Sequence, residues 1–397
     1  MIPTANLLAL AEAARDRILA LARSLVQTPS LTGDEARVAT LVENAMRGLH
    51  FDDVRVDAVG NVLGRLAGGG GRSVLLHAHM DVVDPGDPSR WRYPPYAGEV
   101  AEGFLWGRGA SDTKASLATQ IMAVGLLREA GIMPPGDVHM AAVVGEEVGG
   151  FGTRHMLGTW RPDVAVIGEP SGNTLRRGHR GRFEFLVTFH GRSAHASAPD
   201  RGLNPHYSMA RFMLALRQAP MACDAIFGAT TAVPTLVSVD QVSSNVIPAS
   251  LTVHLDWRNA PSETLEDAQA LVTRVAAESA EAGVRPEVRL RTHTARAYTG
   301  LEQTFTFSLP AFQIAEDAPE WRIARRALEA ALGHPVQEGL WQFATDAGHL
   351  NAAGVPCVGF GPGQEEMAHV VDERVSIDQM VEATAAYMAL ALALGSR

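Results

Sequence analysis

Residues 73–84 read Ser-Val-Leu-Leu-His-Ala-His-Met-Asp-Val-Val-Asp. The apolar run at 74–76 is of buried-strand type, and it leads into His77, His79 and Asp81. Alternate side chains of a strand share a face, so His79 and Asp81 are expected to point the same way. That pairing suits a metal-binding imidazole whose second ring nitrogen is held by a carboxylate. It equally suits a core strand whose polar end meets solvent, because buried polar groups need partners of some kind. The stretch alone leaves both readings open. His77 shares the face but lies deeper, and is expected to be a hydrogen-bonded core histidine.

The same pattern recurs further along the chain. Gly103-Phe104-Leu105-Trp106-Gly107-Arg108-Gly109-Ala110-Ser111-Asp112-Thr113-Lys114 is rich in glycine and runs into a helical pattern at 115–130. Asp112 falls where that helix starts, a position that an ordinary N-cap also fills. Residues 138–144 form a second apolar run, followed by Gly145-Glu146-Glu147. Adjacent carboxylates repel; a nearby cation would stabilise both, where a solvated turn is the plainer account. Residues 164–167 repeat the theme and end in Gly168-Glu169-Pro170. Open α/β sheets bind ligands beyond the C-terminal ends of their strands. Histidine and carboxylate recurring at that edge point to a metal site.

Outward from these motifs, 6–25 and 34–49 read as helices, and 54–56 and 61–66 as strands. From Arg180 the pattern changes. Strands at 183–189, 235–239, 251–257 and 288–294 alternate with helices at 204–216 and 262–282, the order of a split βαβ, ferredoxin-like arrangement. The α/β pattern resumes at Ala295, with a helix at 322–332, a strand at 355–360 and a closing helix at 376–394. The expected division is therefore a catalytic domain in two parts, 1–179 and 295–397, with an inserted domain at 180–294.

The composition narrows the classes. The 397 residues carry a formal net charge of −10, which argues against a nucleic-acid partner, since phosphate binding needs clustered Lys and Arg. Cys223 and Cys357 are the two cysteines. They form neither a disulfide framework nor a zinc-finger spacing, and they fit a reducing compartment. The first 25 residues carry Glu12, Arg15, Asp16 and Arg17, so they read as an amphipathic helix and not as a secretory signal. No uncharged apolar run is long enough to cross a bilayer. The expectation is a cytoplasmic protein with no membrane partner.

Taken in order, His79-Met80-Asp81, the run from Gly107 to Lys114, Gly145-Glu146-Glu147, Gly168-Glu169-Pro170, and Gly361-Pro362-Gly363 followed by Ala368-His369 resemble the M20 family of zinc aminoacylases and peptidases. The resemblance covers nearly the whole chain and is nearest the branch of acetylornithine deacetylase and succinyl-diaminopimelate desuccinylase. It implies an α/β protein: a zinc-aminopeptidase-like catalytic domain with helices on both faces of a mixed sheet, plus an inserted ferredoxin-like α+β lid and dimerisation domain. It implies two zinc ions, with cobalt or manganese as alternatives. Asp112 would bridge them, His79 and Glu169 would bind one, and Glu147 and His369 the other. Asp81 would orient His79, and Glu146 would be the general base. Three carboxylates and two neutral imidazoles against two divalent ions leave net positive charge to acidify a water, whose proton Glu146 can take.

Further matches lie in the insertion. His195, in Gly191-Arg192-Ser193-Ala194-His195, would help hold the oxyanion from a partner subunit; a strand-end histidine is the plainer account. Asn245 and Arg258 would line the substrate pocket, Arg258 pairing with a substrate carboxylate or else simply with Asp256. Gly361 and Gly363 would form a backbone wall of that pocket. Thr113 and Ala115 stand where many relatives have Met and Gly. Asp346 would lie just behind the ligands. The expected reaction is hydrolysis of the amide of an N-acyl amino acid, with a dipeptidase or carboxypeptidase as the alternative. The expected partner is a second copy of the chain, bound through the insertion.

Overall fold

In a computed structural model, which describes residues 5–396, the chain divides into two compact units. One comprises Met1–Gly178, Ala295–Gln303 and Phe312–Arg397, the other His179–Thr294 and Thr304–Ala311.

The larger unit is built on a mixed sheet of nine strands among the described residues. Its order is Asp53–Val56, Val62–Leu66, Val138–Val143, Val74–His79, Val164–Ile167, Cys357–Gly359, Leu175–His179 and Phe312–Gln313, with Glu338–Trp341 also pairing to Leu175–His179. The four strands from Val138–Val143 to Cys357–Gly359 are parallel. Val74–His79 is buried along its whole length. This is why it reads as a continuous apolar run and not as an alternating one. Register brings the strand ends level, with His79 opposite Val143, and Ile167 opposite both His77 and Gly359. The segments after those ends carry Asp81, Glu146, Glu147, Glu169 and Gly361.

Helices cover both faces. Gly64, Met140 and Leu76 are register partners on one face, and a Cβ at Gly64 would meet Met46 of the helix Ala36–Gly48. The next residue, His77, faces the other way and its Nε2 lies 2.6 Å from Thr153 Oγ1 in the helix Phe151–Leu157. The closing helix Ile377–Leu394 is long and apolar enough to cross a bilayer, although the sequence reading found no such run. Its apolar window is 67% buried, against Ala115–Glu129, Pro319–Leu332 and Ala5–Ala13, so packing inside the unit accounts for its composition.

The smaller unit follows Arg182–His190, Pro205–Gln218, Thr231–Val239, Ser250–Arg258, Leu265–Ser279 and Arg285–Leu290. Its sheet order is Thr231–Val239, Ser250–Arg258, Arg182–His190, Arg285–Leu290, with every neighbour antiparallel. This is the ferredoxin-like order. Alternate residues of Ser250–Arg258 are buried. Phe183, Phe185, Val187, Phe189, Leu255 and Trp257 pack there with Phe212, Val272 and Ala276 from the two helices. Loss of one such ring typically costs about 3–5 kcal/mol. The edge strand Thr231–Val239 leaves Val233, Leu236, Val237 and Val239 exposed.

Candidate metal centre and active site

The larger unit gathers the five proposed ligands at the C-terminal edge of its parallel strands. His79 Nε2 lies 2.9 Å from Asp112 Oδ1 and 3.8 Å from Glu169 Oε1. His369 Nε2 lies 3.1 Å from Asp112 Oδ2 and 2.9 Å from Glu147 Oε1. Asp112 therefore turns one carboxylate oxygen to each imidazole. The result is two donor groups sharing one residue: His79, Asp112 and Glu169, which are buried, and Asp112, Glu147 and His369, which open outward at His369.

Asp112 does not cap the helix that follows. That helix starts at Ala115 and has no side-chain cap, and Asp112 sits in an irregular turn, Ala110–Lys114, with φ −121° and ψ 92°. The non-helical backbone frees the carboxylate to face the two histidines. His369 is itself held at φ +62°, a left-handed conformation that costs a non-glycine residue of order 1–3 kcal/mol and persists only where its surroundings impose it.

Asp81 differs in detail from the sequence reading. The strand ends at His79, and His79 Nδ1 makes its short contact, 2.8 Å, with the main-chain oxygen of Asp81; the Asp81 carboxylate stands 3.6 Å away. That carboxylate instead accepts from the main-chain N–H of Glu146 and of Glu147, at 3.1 and 3.3 Å, and from the Thr32 hydroxyl at 2.8 Å. One residue thus orients the imidazole through its carbonyl and the Glu146–Glu147 turn through its side chain.

The charges fit a cation site. Burial pushes Glu169 and Glu146 well above the usual carboxylate range; the charges of Asp112, Glu147 and Asp346 add to it at Glu169, and those of Glu169, Asp346 and Glu147 at Glu146. Burial also raises Glu147, against the pull of His369. Hydrogen bonds to Asp112 and Glu147 raise His369 to about 10. At His79, burial opposes the charged ring but is outweighed by Asp112, Glu169 and Asp81. Protons and imidazolium charge thus balance a crowd of carboxylates, which divalent cations would balance better. Glu146 belongs to neither donor group, yet lies close enough to Glu169, His79 and Glu147 to feel their charges.

The family model described as Peptidase family M20/M25/M40 matches residues 75–393. The chain belongs to this family. A succinyl-diaminopimelate desuccinylase of Cereibacter sphaeroides is 30% identical over 394 residues, covering 93% of this chain and 97% of the relative. Among solved structures, aminopeptidase PepT from Bacillus cereus superposes with a TM-score of 0.73 at 20% identity, covering 95% of this chain and 97% of that one. The Bacillus subtilis YXEP protein, titled a dinuclear metal binding peptidase from M20 family, gives 0.70 at 17% identity over 96% and 99%. This M20 chain is a metal-dependent hydrolase acting on amide bonds.

In this M20 chain the glycines expected at a substrate wall are closely packed. Gly361 is buried; its N–H donates to Ser171 Oγ at 2.9 Å and its oxygen accepts from Asn173 N and Ser171 Oγ. A Cβ there would lie 2.5 Å from the main-chain oxygen of Glu169. Gly363 is also buried, at φ +86°, with its N–H on Gln379 Oε1. Their polar main-chain groups are taken up internally, and their smallness lets the loop close on Glu169 and Ser111.

The remaining expected residues belong to the smaller unit. His195 and Asn245 lie on a short ribbon in which His195 pairs with Val246 and the Ala196 N–H donates to Asn245 O. His195 is exposed. Its Nδ1 meets the Ser197 hydroxyl at 2.7 Å, and among the described residues Nε2 shows no hydrogen bond. Arg258 is half-buried and its Nε donates to Asp256 at 2.7 Å.

Several buried charges near the site escaped the sequence reading. Asp346, expected behind the ligands, accepts from Thr153 Oγ1 at 2.6 Å, but Glu35, Arg108, Lys114 and Glu373 were not singled out. Glu35 accepts from the Gly33 and Gly145 main chain, and burial together with the Asp81 charge pushes it up to about 7. Lys114 donates to Thr28 O at 2.7 Å, and burial lowers it to about 7. Glu35 resembles any acid opening a helix, so no local signal marks it.

Proposed function

We propose that this protein hydrolyses the amide bond of an N-acyl amino acid, using two zinc ions and Glu146 as general base. The observation that carries the reading is the division of the Asp112 carboxylate between His79 and His369, with Glu146 beside both donor groups and in neither. Divalent cations held by His79, Asp112 and Glu169 and by Asp112, Glu147 and His369 would supply Lewis-acid polarisation and a more acidic water. Glu146 takes a proton from the attacking water at a carboxylate oxygen. The C–N bond then breaks as Glu146 returns that proton to the departing nitrogen. The products are a carboxylate and a free amine. Asp81 keeps Glu146 and Glu147 aimed by holding their main-chain N–H groups.

In this reading Arg258 and Asn245 meet the substrate, the planar guanidinium engaging its carboxylate, and His195 serves the developing oxyanion. The exposed His195 and the half-buried Arg258 support those roles. The apolar edge strand Thr231–Val239 supports a homodimer through the inserted unit, since an open apolar edge invites pairing. The two free cysteines fit a reducing cytoplasm.

The relative named as a desuccinylase favours an acyl substrate, while the fold shared with PepT keeps a peptidase in view. The test is a panel of N-acetyl amino acids, N-succinyl amino acids and dipeptides, assayed on zinc-loaded protein. Turnover of an N-acyl amino acid above all dipeptides is expected. Preference for dipeptides would replace the acyl reading with the peptidase one.

A further inference from the structure

The buried pair Arg108–Glu373 stands behind the outward-opening donor group. Arg108 Nη1 donates to Glu373 Oε2 at 2.6 Å, and both side chains are almost wholly buried. The Glu373 carboxylate also accepts three main-chain N–H groups: Gly109 at 3.0 Å, Ser111 at 2.8 Å and Asp112 at 3.0 Å. It therefore grips the turn that presents Asp112. Its main-chain oxygen accepts from Gly107 N at 2.9 Å, and the adjoining strand Arg374–Ser376 pairs with Phe104–Trp106. Arg108 in turn donates to the main-chain oxygen of Val370, the residue after His369, at 3.2 Å. Its guanidinium lies over the Trp91 ring, 5.2 Å from the centroid.

Two segments far apart in sequence are joined by this pair. One carries Asp112, the other His369. These are two of the three donors of the Asp112–Glu147–His369 group. The other group shares Asp112, but its remaining donors, His79 from a strand end and Glu169 from the loop after another strand, make no hydrogen bond or ion pair to Arg108 or Glu373 among the described residues. His369 is half-exposed and held in the left-handed region, so its placement depends on what anchors its segment.

We propose that Arg108 and Glu373 form a clasp that builds the second cation site, setting the position of His369 against Asp112, and that the first site, which shares Asp112 but keeps His79 and Glu169, depends on it less. This rests on the two-cation reading above. Groups that hold metal ligands in place typically change affinity about 10–100-fold when removed, and that loss should fall mainly on the second ion of the pair.

The test uses the full chain stripped with a chelator and titrated with cobalt(II), followed by visible absorption, with bound metal per chain measured after dialysis against zinc. The variants are Glu373→Gln and the double variant R108Q/E373Q, which leaves no unpaired buried charge should the single variant fold poorly. His369→Ala is the reference for a lost second site. Melting of the metal-free proteins reports any purely structural effect. The expected result is that wild type binds two ions, and that the clasp variants bind the second about 10–100-fold more weakly, approaching His369→Ala, with the first, which keeps His79 and Glu169, weakened less. Unchanged affinity for both ions in a folded variant overturns the clasp, as does equal weakening of both. Wild type that binds fewer than two ions would instead overturn the two-cation reading itself.

Discussion

Glu146→Gln separates the proposed base from the ligands around it. Glutamine keeps the length and volume of the side chain but cannot accept a proton from water. Neither donor group includes Glu146, so cation binding is expected to persist. Loss of a general base costs about 10²–10⁴ in rate, or roughly 2.7–5.5 kcal/mol of barrier. A second, opposite effect follows from charge. Burial, Glu169 and Asp346 hold Glu146 well above its ordinary value of 4.5. The folded chain thus keeps a proton that the unfolded chain releases near 4.5, so stability falls as pH rises from there through the folded pKa. At pH 8 without metal the wild type bears that penalty, about 1.4 kcal/mol for every tenfold difference in proton affinity between folded and unfolded chain, and the neutral amide does not. The metal-free variant is expected to melt higher than wild type at pH 8, with the difference shrinking towards pH 4. Turnover is read on zinc-loaded protein, bound zinc by emission spectroscopy, and melting in chelator. A variant that keeps full metal and turns over within tenfold of wild type would refute the assignment of the base. A variant less stable than wild type at pH 8 would refute the electrostatic argument.

Three further outcomes are expected. Gly361→Ala places a Cβ 2.5 Å from the main-chain oxygen of Glu169 and 2.7 Å from Ser116 Oγ, an overpacking worth about 1–3 kcal/mol. Chemical denaturation should show that loss, and kcat should fall with little change in KM; a rise in KM alone would speak for a substrate-wall role instead. Removal of metal with a chelator should lower the melting temperature, because an ion at 100 times its Kd stabilises by about 2.7 kcal/mol; identical melting with and without chelator would contradict a resident cation. His139 lies against Trp160, ring centroids 4.3 Å apart, and burial lowers it to about 4. The unfolded chain protonates it near 6.5, so this contribution to stability is lost as pH falls from 6.5 towards 4. His139→Phe should flatten urea stability over that window, and an unchanged slope would dismiss the contribution.

The candidate site was more legible in the sequence than the frame that holds it, and the reason is physical. Strands such as Val74–His79 and Val164–Ile167 are buried along their length, so each appears as an apolar run with its chemistry at one end. Leu175–His179 and Glu338–Trp341 belong to the same sheet, but Leu-Arg-Arg-Gly-His and Glu-Gly-Leu-Trp have no such run. The stretch at 6–25 reads as one helix and folds as two, Ala5–Ala13 and Arg15–Val26, with neither glycine nor proline at the break to announce it. The candidate donors could be read because coordination demands residue types such as histidine and carboxylate wherever a metal would lie. The groups that aim them follow no comparable rule. Arg108 and Glu373 are 265 residues apart, and each by itself looks like an ordinary surface charge. Only their mutual approach, with the amides of the Asp112 turn, makes burial of either tolerable. A charge buried for its partner is invisible until the partner is located. The most informative residues beyond the motifs are therefore the buried ionised groups that touch a ligand's main chain.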